Sequence, residues 1–442
     1  MIDICVIGGG PAGAIAALEL MRFGYRTKLV SLPSRHRDWP EAVSPQLLIM
    51  LDRLGLSGVL AHSVHTEITE KRVKWRSGKE SGKSLSLGGK IISRDRFDRA
   101  LVVAAIAAGV DYVNGAAGPP TQQSDGTWQI PIGADGQVKV CARFLVIATG
   151  RRNGWFGSTI AQGARSIALY GIMRNCEMPA GTMVVGTADT HWYWGVSLPQ
   201  DTYHALTFVG AKRLSEAPIA LLERSLPPDT KSRPITFNGA ADATFRVARR
   251  AIGQGWLRVG DAFIAPDPLS SSGLYIAVLT AIQSARVINT ILRRPSDVLT
   301  AETFYKNTHR EMAAHFVAAT ASFYLSEESG PVAKVEPSAN SHELSFPLSD
   351  LILSPSAKLH LVPTLTNDFV VMAPGLVRSN KPPVVFVDGI PVDRLLAPLQ
   401  AGGSLASAVS EWIELAIPSR LRFVQFLLEN AFLIEKRKKR NS

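Results

Sequence analysis

Residues 2–24 read IDICVIGGGPAGAIAALELMRFG. An apolar run of strand length breaks into glycines, after which small and apolar residues recur at helical spacing until Gly24. Gly8, Gly10 and Gly13 fall in G-x-G-x-x-G order at the junction, with Ala12 in the same turn. The first glycine permits the tight turn, the second lets the backbone approach a pyrophosphate at the helix N-terminus, and the third lets helix pack on strand. Residues 26–32, RTKLVSL, follow as a second buried strand. The whole is a strand-helix-strand unit of roughly 30 residues, which predicts parallel sheet. Turn sterics alone also produce glycine loops, so the motif needs support from elsewhere in the chain.

The 442 residues are 46% hydrophobic and 19% charged, an ordinary globular composition able to bury a large core and a deep pocket. No apolar run approaches the roughly 20 residues of a membrane helix, so no membrane association is expected. The N-terminus enters strand directly, without the basic and apolar regions of a signal peptide, and cytoplasmic residence is the expectation. Cys5, Cys141 and Cys176 are scattered, and the nine histidines lack ligand spacing, so neither disulfide nor metal is expected. The net charge of +11 resides partly in the tail at 436–442, KRKKRNS. Basic residues elsewhere do not interleave with aromatics, which disfavours nucleic acid.

Residues 93–113, SRDRFDRALVVAAIAAGVDYV, predict a helix and short strand, and 142–150, ARFLVIATG, a buried strand ending at Gly150. The texture then changes to alternating strands: TMVVGTA (182–188), HWYWGVSL (191–198) and YHALTFV (203–209). A period of two puts Trp192 and Trp194 on one face and Tyr193 on the other. That face is either core or the wall of a pocket. GWLRVGDAF (255–263) returns as strand and turn, SSSGLYIAVLTAIQSARVINTIL (270–292) as a long helix, and 301–325 as another. The resulting division is a discontinuous cofactor domain (1–65, 88–160, 245–325), an inserted antiparallel substrate domain (66–87, 161–244), a linker (326–357), a small winged-helix-like domain (358–435) and the basic tail.

Gly260 and Asp261 end a strand, Pro268 follows in a loop, and Ser272, Gly273 and Leu274 open a helix. In flavoproteins with such a GD motif the aspartate holds the ribityl chain and the helix N-terminus faces the flavin ring, stabilising its reduced form. Two cofactor-type junctions far apart in one chain point to FAD. The acid that usually ends the second strand and binds a ribose is missing; Ser31 stands near its place, with Arg35 beyond.

GGGPAG, SRDRFDRAL, ATG and GDAFIAPDPLSSSG occur in the order seen in group-A flavin monooxygenases and tryptophan halogenases, which this chain resembles over residues 1 to about 325. SRDRFD is similar to their DRxxFD pattern, with Ser93 for the first aspartate and Arg94 kept, and WPEAVSPQLL is similar to their GES segment, with Glu41 kept. The resemblance implies an α/β fold: a glutathione-reductase-type FAD-binding Rossmann domain with an inserted antiparallel β-sheet substrate domain. It adds Glu41, Arg94 and Gly150 to the flavin contacts. Halogenases carry W-x-W-x-I-P where this chain has Trp192, Trp194, Val196 and then Ser197 instead of proline. Their essential lysine, eight residues before a tryptophan, corresponds by counting from Trp75 to Glu67. An acid cannot do that ammonium's work, so hydroxylation through a flavin C4a-hydroperoxide is favoured over halogenation. Glu67 and Pro268 are the candidate catalytic positions.

Over its full length the chain resembles the flavoprotein hydroxylases that mature quinohaemoprotein amine dehydrogenase. That resemblance implies two oxygen insertions into a tryptophan of a small protein, already cross-linked by a radical S-adenosylmethionine enzyme, during cysteine tryptophylquinone biogenesis. A small-molecule aromatic hydroxylase, a halogenase and a non-catalytic assembly factor are the alternatives. Dioxygen is the co-substrate. No second dinucleotide fingerprint is present, so the electrons come from transiently bound NAD(P)H or from a partner reductase.

Overall fold

The computed structural model describes residues 1–32, 39–74, 80–85, 88–133, 136, 138–151, 155–188, 191–210, 213, 215–227, 230, 234–328, 350–355, 357–378 and 381–435. The chain divides into two compact units, one of Met1–Asn289 with Tyr305–Ala333, the other of Thr290–Phe304 with Lys334–Ser442.

In the first unit the strand Ile2–Ile7 pairs in parallel with Thr27–Ser31 on one side and Val138–Ile147 on the other. Asp111–Asn114 extends the sheet beyond Thr27–Ser31, and Trp256–Arg258 extends it beyond Val138–Ile147, again in parallel. Val138–Ile147 changes character along its length. Its first half alternates exposed and buried residues where it pairs with the Trp128–Ile132 hairpin strand, and its last four residues are buried throughout, as a strand covered on both faces must be. Successive strands run outward on one side of Ile2–Ile7 and then jump to the other. The ends of Ile2–Ile7 and Val138–Ile147 therefore flank the point where strand order reverses, where ligands of open parallel sheets bind.

A seven-stranded sheet forms the other half of this unit, with Ser166–Arg174, Thr202–Gly210, His191–Leu198 and Thr182–Ala188 adjacent and antiparallel. Its outer face packs Leu169, Met173, Tyr193, Tyr203 and Val209 beneath the helix Pro218–Arg224. The opposite face carries Ala168, Trp192 and Phe208. The helix Gly273–Arg293 is long and apolar enough to cross a membrane, contrary to the reading of the sequence, but 72% of its apolar window is buried. Tyr25 donates to Asn289 Oδ1 at 2.9 Å and Arg286 bonds Glu19, which makes it a core helix.

The second unit packs the sheet Leu359–Leu365, Val370–Arg378 and Lys381–Val384 with the helices Val392–Gln400, Leu405–Glu411 and Ile417–Glu429 around Leu396, Leu405, Trp412 and Leu427. Two expectations are corrected here. Leu351–Leu353, read as linker, is a strand paired with Leu433–Glu435. Residues 290–304, assigned to the cofactor domain, cluster with the C-terminal unit: Thr290 Oγ1 accepts from the Val370 amide at 2.8 Å, and Arg294 lies 3.7 Å from the Phe369 ring centroid. The remainder of the linker at 329–349 and the tail at 436–442 lie outside the described residues.

Candidate flavin site and substrate face

The glycines of the first loop divide by what a side chain would meet. At Gly8, which has φ +114°, a Cβ would overlap the Ala148 carbonyl, and at Gly13 it would overlap the Gly8 carbonyl. Both glycines are demanded by the protein's own packing. Gly10 is different: its backbone is extended (φ −72°, ψ −179°), and a Cβ there would meet nothing within 4 Å. Neither backbone conformation nor packing requires glycine at this position, which caps the helix Pro11–Arg22. An open cradle beside unpaired first-turn amides is what a pyrophosphate needs, so the residues fit FAD. Ser31 serves the loop itself, accepting from the Gly9 amide at 2.9 Å and donating to the Leu32 carbonyl at 2.8 Å. Its one donor is spent, so a ribose could meet only its remaining lone pair. Arg35 lies outside the described residues.

The second motif meets the first. Gly260, at φ +58°, would place a Cβ 2.7 Å from Ala12, and its amide donates to Thr280 Oγ1 at 2.9 Å. Asp261 is one-third exposed and lies 3.3 Å from Arg151 Nε. Arg151 follows Gly150, itself at φ +63° with open space around it, and also donates to the carbonyls of Thr244 (2.6 Å) and Pro266 (3.3 Å). The strand-end ATG segment, the GD turn and the following loop are thus tied by one guanidinium. Pro268 begins a single helical turn capped by Asp267, Ser272 donates to the Ser270 carbonyl, and Leu274 is buried. Gly273, like Gly10, opens its helix onto empty space.

Arg94 bonds Glu41 Oε2 at 2.6 Å and clasps Asp98 through Nε (3.1 Å) and Nη2 (3.0 Å). Burial pulls its pKa down, but the two carboxylates more than offset this and leave it raised. Ser93 accepts from the Arg96 amide at 3.2 Å, doing as a helix cap what an aspartate would do. Glu67 is not among these residues. Its side chain is 73% exposed and pairs with Lys90 at 3.0 Å, so the geometry gives no support to a catalytic base there. Trp75, from which Glu67 was counted, lies outside the described residues.

The two tryptophans share a face, opposite Tyr193, as the strand period dictates. Trp192 is buried and stacks on Phe208, with ring centroids 3.8 Å apart and planes 7° from parallel. Trp194 is half-buried. Leu269, next to Pro268, packs against this cluster, so the sheet face abuts the loop of the second cofactor motif. Ile68, Ile91 and Ala42 cover the neighbouring part of the face at Met183, Val196 and Leu198, and Trp39 lies on Tyr170 with ring centroids 4.7 Å apart.

No family model matches the chain. The tryptophan 2-halogenase of Chondromyces crocatus is 26% identical over 364 residues, 73% of this chain and 67% of that protein. The solved structure of the peptidyl tryptophan dihydroxylase QhpG, described as essential for tryptophylquinone cofactor biogenesis, superposes with a TM-score of 0.69 at 26% identity, covering 97% of this chain and 99% of that one. The chain is an FAD-dependent monooxygenase of the tryptophan-halogenase-like superfamily. Another superfamily fold, that of the flavin-dependent halogenase CmlS, aligns over 98% of this chain and 95% of its own with a TM-score of 0.72 at 15% identity, a likeness of fold alone. Within this superfamily fold, the sequence motifs had not pointed to Arg151, Trp39 or Leu269. Arg151 was findable as the residue after ATG; the other two become site residues only through long-range packing.

Proposed function

We propose that this enzyme hydroxylates a tryptophan side chain of a protein substrate, twice on one indole, in the biogenesis of a tryptophylquinone. The observation that carries this reading is the end-to-end likeness to QhpG, whereas the match to the curated halogenase covers 73% of the chain. The aromatic face beside Leu269 supports a flat, apolar substrate group. FAD would be held by Gly8, Gly10, Ala12 and Gly13 at the first helix, and by Gly260, Asp261, Ser272, Gly273 and Leu274 at the second motif, with Gly150, Pro268, Glu41 and Arg94 around it. When bound, the flavin supplies the two-electron activation of dioxygen. The chain's own part is to seat the pyrophosphate on first-turn amides, to fix Asp261 through Arg151, and to keep water from the sheet face with Trp192, Phe208 and Leu269.

The substrate in this reading is a small protein already cross-linked by a radical S-adenosylmethionine enzyme, and the reductant is NAD(P)H or a partner reductase. The test is mass spectrometry of such a protein after incubation with enzyme, reductant, dioxygen and excess chloride. Gain of one and then two oxygen atoms on a single tryptophan is expected. Chlorinated product, or oxygenation of free aromatics alone, would replace the reading with halogenation or small-molecule hydroxylation.

A further inference from the structure

The seven-stranded sheet ends on one side at the strand Ile235–Asp242, which pairs with Ser166–Arg174 and, among the described residues, with no strand beyond it. Sheet edges are ordinarily blunted by charge or proline, because their outward amides and carbonyls recruit other chains. Residues 236–241, TFNGAA, contain neither, and Thr236, Phe237, Ala240 and Ala241 are exposed. The register slips between Tyr170 and Gly171, so the regular part of this edge is Gly239–Asp242. The ladder fixes which groups face outward. The Ala243 amide donates to the Ser166 carbonyl at 2.9 Å, and the pairs Ala241–Ala168 and Gly239–Tyr170 follow in the same register at every second residue, so these residues bond inward. The amide and carbonyl of Ala240, and those of Asp242, therefore point away from the sheet. The same register sets Ala241 opposite Ala168, Ala168 opposite Phe208 and Phe208 opposite Trp192, one row on one face across four strands. Ala168, Phe208 and Trp192 are buried and Ala241 is exposed, so the aromatic face runs out to solvent at this edge.

We propose that an extended segment of the protein substrate adds to Ile235–Asp242 as a further strand, antiparallel like its neighbours in the sheet, with the substrate tryptophan opposite Ala241. The inference rests on the hydroxylase reading above, for which it names the docking surface. The amides and carbonyls of Ala240 and Asp242 together make four main-chain hydrogen bonds to the segment, which hold its backbone whatever its sequence. Specificity comes from the alternation of side chains: the residue opposite Ala241 is delivered to the face of Phe208 and Trp192, and its neighbours to the other face. The added strand lies about 4.8 Å beyond Ala241, and an indole reaching inward from it meets only the methyl groups of Ala241 and Ala168 in that row before Phe208. An uncharged edge continuous with the aromatic face suits a peptide backbone, and a free small molecule gains nothing from it.

Ala240→Pro removes one outward amide, and proline is tolerated on an edge where the amide faces solvent. The Ala240 side chain lies on the opposite face, in register with Leu169, so the change leaves the aromatic row intact. The probe is the small cross-linked protein, added to the FAD-loaded full-length enzyme. For its oxygenation the KM of Ala240→Pro should rise about tenfold at unchanged kcat, with FAD retention and melting temperature as in wild type. Hydrogen exchange followed by mass spectrometry needs no variant: saturating probe should slow exchange of wild-type amides within residues 236–242 about tenfold or more. Unchanged exchange in this segment overturns the docking whether or not the probe is oxygenated, and so does a folded Ala240→Pro enzyme with wild-type KM. Light scattering that finds the wild-type enzyme dimeric by itself and Ala240→Pro monomeric also overturns it, since the edge then serves a second copy of the chain. Slowed exchange without gain of oxygen on any tryptophan removes the hydroxylase reading and leaves the docking standing, whereas oxygenation of the probe without slowed exchange does the reverse.

Discussion

Gly10→Ser separates the demands of the cofactor from those of the fold. The extended backbone at Gly10 suits any residue, the space around its Cβ is empty, and the position caps a helix, where serine is preferred. Relative to glycine, the serine gains a few tenths of a kcal/mol as a cap and about 0.4–1 kcal/mol from a less flexible unfolded chain. The apo protein should therefore melt no lower than wild type. The new side chain occupies the cradle and its oxygen competes for the first-turn amides, so FAD affinity should fall more than tenfold, at least about 1.4 kcal/mol. Thermal melts of the two apo proteins and fluorescence titration with FAD measure both quantities. Gly13→Ala is the contrast: its Cβ overlaps the Gly8 carbonyl, so folding itself should suffer. A Gly10→Ser protein that binds FAD like wild type would refute the assignment of the cradle, and one that melts well below wild type would refute the argument that packing leaves the position open.

Asp261→Ala should weaken FAD by about 1.5–3 kcal/mol, the usual worth of a hydrogen bond to a charged group, without lowering the apo melting temperature; equal FAD titrations would show that the turn does not contact the cofactor. Glu67→Gln should leave turnover and FAD binding unchanged, since it removes only an exposed pair with Lys90 worth under about 1 kcal/mol; a slowed reaction would restore the acid to the mechanism. His309 has its pKa lowered by burial, then by the charges of Arg258 and Arg310, against a raising hydrogen bond to the Phe263 backbone. The unfolded chain then binds the proton more readily, so stability declines as pH falls through the ordinary value of 6.5 towards the folded one. Melting temperatures of His309→Gln between neutral and mildly acidic pH should decline less than those of wild type, and parallel curves would contradict the assignment.

What could be read from the sequence was what short-range geometry dictates. The G-x-G-x-x-G spacing sets Gly13 against the Gly8 carbonyl within one turn, and the shared face of Trp192 and Trp194 follows from strand period alone, whereas the contacts that demand glycine at Gly8 and Gly260, with Ala148 and Ala12, join distant parts of the chain. Ser31 was placed correctly near the end of its strand, but its hydroxyl turns back to Gly9, a choice between two neighbours that spacing cannot express. Tyr170 and His204 are separated by 34 residues and meet only through the register of antiparallel strands. The same limit hid the strand Leu351–Leu353, whose composition is unremarkable until Leu433–Glu435 supplies its partner.

The order of strands also bears on how the protein is made. Val138–Ile147 gains its second parallel neighbour only when Trp256–Arg258 is present, and the cradle at Gly10 faces its companion motif only when Gly260–Gly273 has followed. A nascent chain leaving the ribosome thus carries one finished half of a nucleotide site for the whole time that the intervening sheet of residues 166–242 is being synthesised. Domains tend to fold as units during synthesis, and pairing across so long an interval closes late. Flavin capture would then mark the completion of translation through the second motif, and a chain truncated before Trp256 should emerge colourless however well its first strands have folded.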